Sequence, residues 1–592
     1  MRVPLAQQVQ ELVGTSDLVI ITERVDDVAL LIGHMVKMGF VEGLDRPIPR
    51  HWPQRERSWG WTAVIWLASL LPEGDHRKVS VEADIQGMHH PLSHLSGQII
   101  PPLDCRDDRV GHLRKHLRKP TYGHEIERAV HARSLAVYAL SQDVIRGEAT
   151  TVSGTQEVSD GGLGQFGPRQ DDPSRPQIKG LMGSFDPLGM PWATDVRSGA
   201  RADDGLYIPR IKRLEAGMSQ PGLLCVGDGK LSALGTRAYV VGRQHLDLSP
   251  LPCTGATAEA MAAWISKGSA TDRDGALERL VRRHHRDEEG LVAAGAACER
   301  SCGLAEGEAA WTERVCVVRA PAQAERQAAG REKRLATAEQ KRAALTPARG
   351  RGKRQITEAA QLVAALAKGR KEQQGEGLLQ VAWQQQSERH TPYVGRGRGS
   401  ATRQQRVTEP LRSPLTRLTR QEGPSRALTP RFGWNAFVTN APPGRRSLSE
   451  AIVCSRNEYR IERLFNRLQS RGPSAPLFVT RNDHIEGLTY LLTLGVRVLT
   501  VMACALRRSL QNDHAQLPGL HPENKTKMTD TPTAERILQA FADMSLTIIT
   551  QAAGEDILRR LTPLSGVQET ILHCLGLGTS LSRQLEMQGI GN

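Results

Sequence analysis

The stretch Leu223-Leu224-Cys225-Val226-Gly227-Asp228-Gly229 decides the fold class. An apolar run closed by a glycine-flanked aspartate reads as a short buried strand ending in a turn. Upstream, Asp203 to Gly217 reads as a helix. Before it, Gln177 to Ser184 and Met190 to Val196 are two apolar runs. Phe185-Asp186-Pro187-Leu188-Gly189 joins them with turn chemistry, which predicts a hairpin. Further back, Val144 to Val152 contains a β-branched run ending at Ser153-Gly154. Downstream, a helix fits Ser232 to Val241. Strand, hairpin, helix, strand, helix is a mixed α/β order.

The chain of 592 residues is long enough for several domains with sizeable cores. Residues 26 to 140 read as helical: Asp26 and Asp27 can cap a helix carrying Leu30, Leu31 and Met35, and Ser58 precedes a run with Trp61, Ile65 and Trp66. Residues 254 to 432 break the α/β order with alanine-rich helical stretches, a strand at Arg314 to Arg319 and Arg/Gly-rich pieces. Trp434 to Thr439 then reads as a strand. A helix from about Ser447 to Leu468 carries Ile461, Leu464, Phe465 and Leu468 at core-packing spacing. Thr531-Pro532 predicts a helix start before Ile537, Leu538 and Phe541.

Nine cysteines at irregular spacings form no framework, so a reducing cytosol is the expectation. The first residues lack a signal-peptide core. Leu491 to Leu506 carries Arg497 mid-run and reads as a buried helix, so no membrane partner is expected. The net charge of +14 is concentrated: Pro321 to Pro430 holds 22 Lys and Arg against 9 Glu and no Asp. A localised basic block favours a polyanionic partner, with a solvated linker as the plainer alternative. Arg114 with Arg118 and Lys115 with Lys119 lie at i, i+4 and predict a cationic helix side, or an ordinary solvated face.

Three acids sit where metal-assisted phosphoryl transfer could be built: Glu148 in the first strand, Asp228 at the end of an apolar strand, and Glu462 on the later helix. Such chemistry needs carboxylates from separate elements to hold two Mg²⁺ about 3.5–4 Å apart. Hard oxygens suit Mg²⁺ or Mn²⁺. Cys298 and Cys302, four apart in a stretch read as helical, with His284 and His285 upstream, match no zinc spacing. His89-His90 reads as loop, as does Gly162-x-Gly164-x-x-Gly167 before Pro168.

The strings Ala149-Thr150-Thr151-Val152-Ser153-Gly154, Gly162-Leu163-Gly164-Gln165-Phe166-Gly167, Asp186-Pro187-Leu188-Gly189-Met190-Pro191, Val226-Gly227-Asp228-Gly229-Lys230, Thr439-Asn440-Ala441-Pro442 and Tyr459-Arg460-Ile461-Glu462-Arg463-Leu464-Phe465 occur in this order. Together, over roughly residues 26 to 508, the chain resembles the DDE transposases of bacterial insertion sequences. It is most similar to those with a long insertion before the final Glu. The resemblance implies an α/β, RNase H-like mixed-sheet core interrupted by a basic insertion domain, with helical N-terminal and C-terminal regions. The implied division is a helical DNA-binding region at 1–140, core at 141–253, insertion at 254–432, returning core at 433–508 and a helical extension at 509–592.

The resemblance further implies Glu148, Asp228 and Glu462 as catalytic ligands of two Mg²⁺ or Mn²⁺ ions. The implied activity is nicking at transposon ends and strand transfer of the 3′-hydroxyl into target DNA, by a homodimer on DNA in the bacterial cytoplasm and nucleoid. DNA contacts are expected at Arg114, Lys115, Arg118 and Lys119, and in the insertion at Arg349, Arg351, Lys353, Arg354, Arg396 and Arg398. Gly395 to Gly399 could equally serve RNA. Lys230 and Arg463 are candidates for phosphate contact, with solvent-facing charge as the plainer reading.

The chain departs from the family pattern at Glu148, where Asp is expected. One methylene moves a carboxylate by on the order of 1 Å, which can cost ~100-fold in a positioned site. Ser455, Glu458 and Gln469 stand where a wider signature has Tyr, Arg and Lys. Of these, Glu148 and Gln469 imply a weakened enzyme, or alternatively an inactive DNA-binding relic.

Overall fold

The computed structural model describes residues 18–586 apart from interruptions, the longer ones at 50–57, 101–106, 167–174, 346–355, 395–401 and 465–480. The chain forms two compact units. The first comprises Met1–Ser249, Gly303–Ala310 and Cys454–Asn592, and the second Pro250–Cys302 and Trp311–Val453.

The first unit opens with β1 (Leu18–Arg24), then helices α1 (Val28–Lys37), α2 (Phe40–Asp45), α3 (Trp59–Glu73), α4 (Lys78–Gln86), α5 (His89–Ser96), α6 (Asp107–Arg118) and α7 (Pro120–Tyr138). Local chemistry sets these starts. Ser58 Oγ accepts the Trp61 N–H at 3.1 Å, capping α3. Pro120 occupies the first turn of α7, where a missing N–H costs nothing. His89 and His90 begin α5 instead of lying in a loop, because Pro91 is tolerated in a first turn and Glu23 holds the His90 N–H at 2.7 Å.

The sheet follows: β2 (Val144–Ser153), β3 (Gln177–Asp186), β4 (Met190–Ser198), α8 (Tyr207–Glu215), β5 (Leu224–Gly227), α9 (Leu234–Gly242) and β6 (Leu246–Pro250). The order is β4-β3-β2-β5-β6. β2, β3 and β4 are antiparallel neighbours; β2, β5 and β6 are parallel ones. This order, with these senses, is that of an RNase H-like core. The expected hairpin is present, with Phe185 opposite Met190 and Gly189 at φ +63°.

The second unit contains α10 (Ala256–Arg273), β7 (Glu278–Arg283), β8 (Glu289–Cys302), β9 (Trp311–Arg319), α11 (Pro321–Leu345), α12 (Ala359–Glu372), β10 (Leu379–Trp383), β11 (Gln386–Ser387), β12 (Leu411–Arg412), β13 (Leu415–Arg420), α13 (Glu422–Leu428), β14 (Trp434–Thr439) and most of α14 (Leu448–Arg456). β14, β9, β8 and β7 pair antiparallel in that order. Alternation decides the faces: Val315 and Val317 pack with Met261 of α10, whereas Cys316 and Val318 pack with Leu448 and Ile452 of α14. Cys298 and Cys302 lie in β8, so the helical reading there is corrected. Its alanine-rich sequence suits a helix locally, but pairing to strands on both sides prevails. β14, expected in the returning core, has β9 as its antiparallel partner.

Back in the first unit, α15 (Asn482–Asn512) runs through the core. It is long and apolar enough to cross a bilayer, yet it is largely buried in protein. Arg497 is fully buried, its Nε donating to the Pro191 carbonyl at 2.9 Å and its Nη2 to that of Trp192 at 3.1 Å. α16 (Ala534–Gln539), β15 (Ser545–Gln551), β16 (Asp556–Leu561), α17 (Gly566–Cys574) and α18 (Ser580–Leu585) complete the chain. Thr533, not Thr531, caps α16. The extension expected to be helical also supplies a hairpin: β15 lies between β16 and β1, giving a sheet of order β1-β15-β16.

Candidate active site

β2 and β5 are adjacent and parallel, with Arg146 opposite Val226 and Gly147 opposite Gly227. Glu148 and Asp228 each follow the paired glycines. Parallel neighbours lie about 4.8 Å apart and present equivalent positions to the same side. The register therefore brings the first two predicted acids side by side.

The paired glycines have a steric cause. A Cβ on Gly147 would lie 2.6 Å from Arg210 Nη1, and one on Gly227 would lie 3.1 Å from Tyr207 Cε1. Bare backbone makes the room into which α8 presses these two side chains. Tyr207 Oη donates to Asp228 Oδ1 at 2.6 Å and lies 3.3 Å from the Gly147 carbonyl. The Lys230 N–H reaches the same Oδ1 at 3.0 Å, so two donors fix the orientation of the Asp228 carboxylate. Burial, then the neighbouring Asp228 charge, pushes the Tyr207 hydroxyl well above its ordinary range, so it stays a donor.

Arg210 is only 4% exposed. Its Nη2 donates to the Glu148 carbonyl at 3.2 Å, and its guanidinium lies 5.5 Å from the Tyr207 ring centre. Nη1 has no hydrogen-bond partner among the described residues. Burial lowers its proton affinity, and the facing Tyr207, Asp195, Asp228 and Glu148 pull it back up. Sequence reasoning missed both Tyr207 and Arg210. Their i, i+3 spacing on the helix before the Asp228 strand was the available signal.

The third acid arrives after the insertion. The last segment of the first unit begins at Cys454, whose carbonyl accepts a hydrogen bond from Arg146 Nη2. Arg146 is buried and also bonds Asp186 at 2.8 Å. Residues 461–464 are helical, with Ile461 and Leu464 in the first unit's core and Glu462 and Arg463 exposed. Phe465, Leu468 and Gln469 lie outside the described residues, as does Glu458.

Carboxylate oxygens of Glu148 and Asp228 have the hardness that Mg²⁺ or Mn²⁺ prefers, and each follows one of the paired glycines. Among the described residues no three His, Cys, Asp or Glu side chains are gathered to hold a metal. The structure thus pairs two of the predicted ligands and does not gather Glu462 with them.

The predicted DNA contacts divide. Arg114 is corrected: it is 1% exposed, with its guanidinium 4.7 Å over the Trp66 ring, and cannot reach a phosphate. Its helix turns that face to the core, where cation–π stacking offsets desolvation. Lys115, Arg118 and Lys119 are exposed, Arg118 bridging Glu486 at 2.9 Å. Lys119 caps α7 instead of continuing α6, so the expected cationic side is broken. Lys230 and Arg463 are exposed, the latter 5.0 Å over the Tyr459 ring. Arg349, Arg351, Lys353, Arg354, Arg396 and Arg398 lie outside the described residues.

No family model matches the chain, and no curated protein matches it in sequence. Among solved structures it is similar to a piggyBac transposase synaptic complex with hairpin DNA, at a TM-score of 0.34 and 6% identity, over 88% of this chain and 80% of that one. A likeness of that depth decides neither fold nor function.

Proposed function

We propose that this chain is a DDE-type transposase, a polynucleotidyl transferase that nicks DNA at transposon ends and joins the freed 3′-hydroxyl to target DNA. The observation that supports it best is the register of Glu148 with Asp228 on neighbouring parallel strands of an RNase H-like sheet. Glu148 and Asp228 would hold Mg²⁺ or Mn²⁺, and Glu462, which is not gathered with them here, would have to join them as the third ligand once the ion is bound. Bound there, such ions would supply Lewis acidity to the attacking and leaving oxygens of the transferred phosphate. Tyr207 holds the Asp228 carboxylate in one orientation. Lys230, Arg463 and the exposed Lys115, Arg118 and Lys119 contact phosphates, together with the basic insertion. Two copies pair two ends.

A second reading, an inactive relic that still grips DNA, is favoured by the missing three-ligand cluster among the described residues and by the longer Glu148 side chain. One experiment separates them: nicking of a supercoiled plasmid carrying the DNA that flanks this chain's own gene, with Mg²⁺ or Mn²⁺. The enzyme reading expects metal-dependent nicking that Asp228→Asn abolishes and Glu148→Asp raises, by up to ~100-fold. Salt-sensitive DNA binding without nicking in any of these proteins would leave the relic. Equal nicking by wild type and Glu148→Asp would end the idea that Glu148 weakens the site.

A further inference from the structure

In the second unit a cavity of about 350 Å³ opens between α11, α12 and β10. Helical spacing builds it. Ala338, Lys341, Arg342 and Leu345 recur at i, i+3, i+4 and i+7 on α11, and Ala365, Leu366, Gly369 and Arg370 come from one side of α12. Small residues leave the room: a Cβ on Gly369 would meet nothing within 4 Å. The buried Leu366 and Leu379, with Val381, give an apolar wall. Sites for small molecules run from about 300 to 1,000 Å³ and combine such walls with a few placed polar groups.

The polar groups here are nearly all cations. Lys341, Arg342, Lys368 and Arg370 line the cavity against one acid, Glu372. That acid is taken by Lys341 at 3.4 Å. On α11, Glu332 and Glu339 are both engaged by Arg420, at 2.6 and 2.9 Å. Arg342 and Arg370 each bury Nε, and neither gives that N–H a hydrogen bond among the described residues. A buried donor without an acceptor is costly, so two beside one cavity point to an acceptor from outside the chain. The covalent connection between the helices cannot supply the charge: residues 346–358 bring Arg349, Arg351, Lys353 and Arg354 against the single acid Glu358.

We propose that this cavity binds a small amphipathic anion, its apolar body against Leu366, Leu379 and Val381 and its carboxylate or phosphate head between Arg342 and Arg370. The bidentate fork of each arginine suits either head group. The assignment goes beyond the transposase reading and does not depend on it.

Calorimetric titration of the full chain with dodecanoate, below its micelle concentration, tests it. Saturable binding at one site per chain is expected, with a raised melting temperature for the liganded protein. Dodecyl phosphate is the second arm, and the tighter of the two identifies the head group. Dodecyltrimethylammonium, with the same tail and a cationic head, does not bind. Gly369→Leu fills the room, and Arg342→Gln with Arg370→Gln removes the charge; each weakens binding by about tenfold or more. Gly369→Leu without ligand melts at or above the wild-type temperature, since leucine is the better helix former, so its loss of binding is not a loss of fold. Should the arginine variant fail to fold, Gly369→Leu and the cationic detergent still decide. Equal binding of that detergent, binding that survives Gly369→Leu, or no binding of either anion overturns the proposal. A short DNA duplex whose binding the arginine variant weakens, with neither anion bound, likewise overturns it and returns these arginines to the basic surface.

Discussion

Gly487→Ala is a substitution for which helix propensity and packing predict opposite signs. Gly487 lies within α15, where replacing glycine by alanine normally stabilises by about 1 kcal/mol. Here a Cβ would sit 2.1 Å from the Arg114 carbonyl oxygen and 2.6 Å from its carbon. An ordinary carbon–oxygen contact needs about 3.3 Å, so α6 must retreat by about 1 Å. That movement drags Leu113 and Leu117, which are 0% and 1% exposed, and lifts Arg114 from the Trp66 ring. Overpacking costs about 1–3 kcal/mol, and a backbone obstacle that cannot rotate aside as a side chain can places this site in the upper part of that range, at about 2–3 kcal/mol. After the propensity gain, a net loss of about 1–2 kcal/mol is expected, read as a lowered thermal midpoint and a lowered urea midpoint at unchanged slope. Gly369→Ala serves as control, because its added Cβ meets nothing within 4 Å. A Gly487→Ala protein that melts at or above the wild-type temperature would refute the close helix crossing.

Two other outcomes are expected. Arg497→Met strands the buried Pro191 and Trp192 carbonyls and removes a charge facing Glu127, and should cost about 3–5 kcal/mol in denaturant unfolding; a loss below about 1 kcal/mol would mean the guanidinium is dispensable. For His34, burial and then the Lys37 charge push the imidazole pKa down to about 3. The folded protein thus stays neutral there while the unfolded chain binds a proton below its ordinary 6.5. Stability from this residue is complete above that value and is lost as pH falls toward 3, at up to about 1.4 kcal/mol per pH unit. Unfolding series between pH 6 and pH 4 should show a shallower slope for His34→Phe, and identical slopes would discard the assignment.

The core sheet was legible because its signals are local: β-branched and apolar runs, a Gly-bearing turn between β3 and β4, and acids fenced by glycine. Ile461 and Leu464 likewise announced their buried face by spacing alone. What escaped depended on distant partners. The i, i+4 pattern finds the faces of α6 but cannot say which one meets Trp66, so Arg114 was misread. The Cys298 strand is specified by neighbours on both sides more than by its own alanines. β15 pairs Ile548 with Ile21 across most of the chain, a contact no window of sequence contains. At the site, both acids could be named from sequence, whereas Tyr207 and Arg210 gain meaning only once two glycines are known to lie opposite each other.

The hydrogen bond from Arg146 to the Cys454 carbonyl works as a mooring. Apart from the short stretch Gly303–Ala310, the chain departs the first unit after Ser249 and is tied up again at Cys454, by an arginine two residues before Glu148 on the same strand. Arg146, itself held by Asp186, joins the buried Ile461 and Leu464 in fixing where the polypeptide comes ashore. Such an arrangement lets the intervening cassette grow, shrink or be exchanged over generations while the landing of the Glu462 segment stays the same.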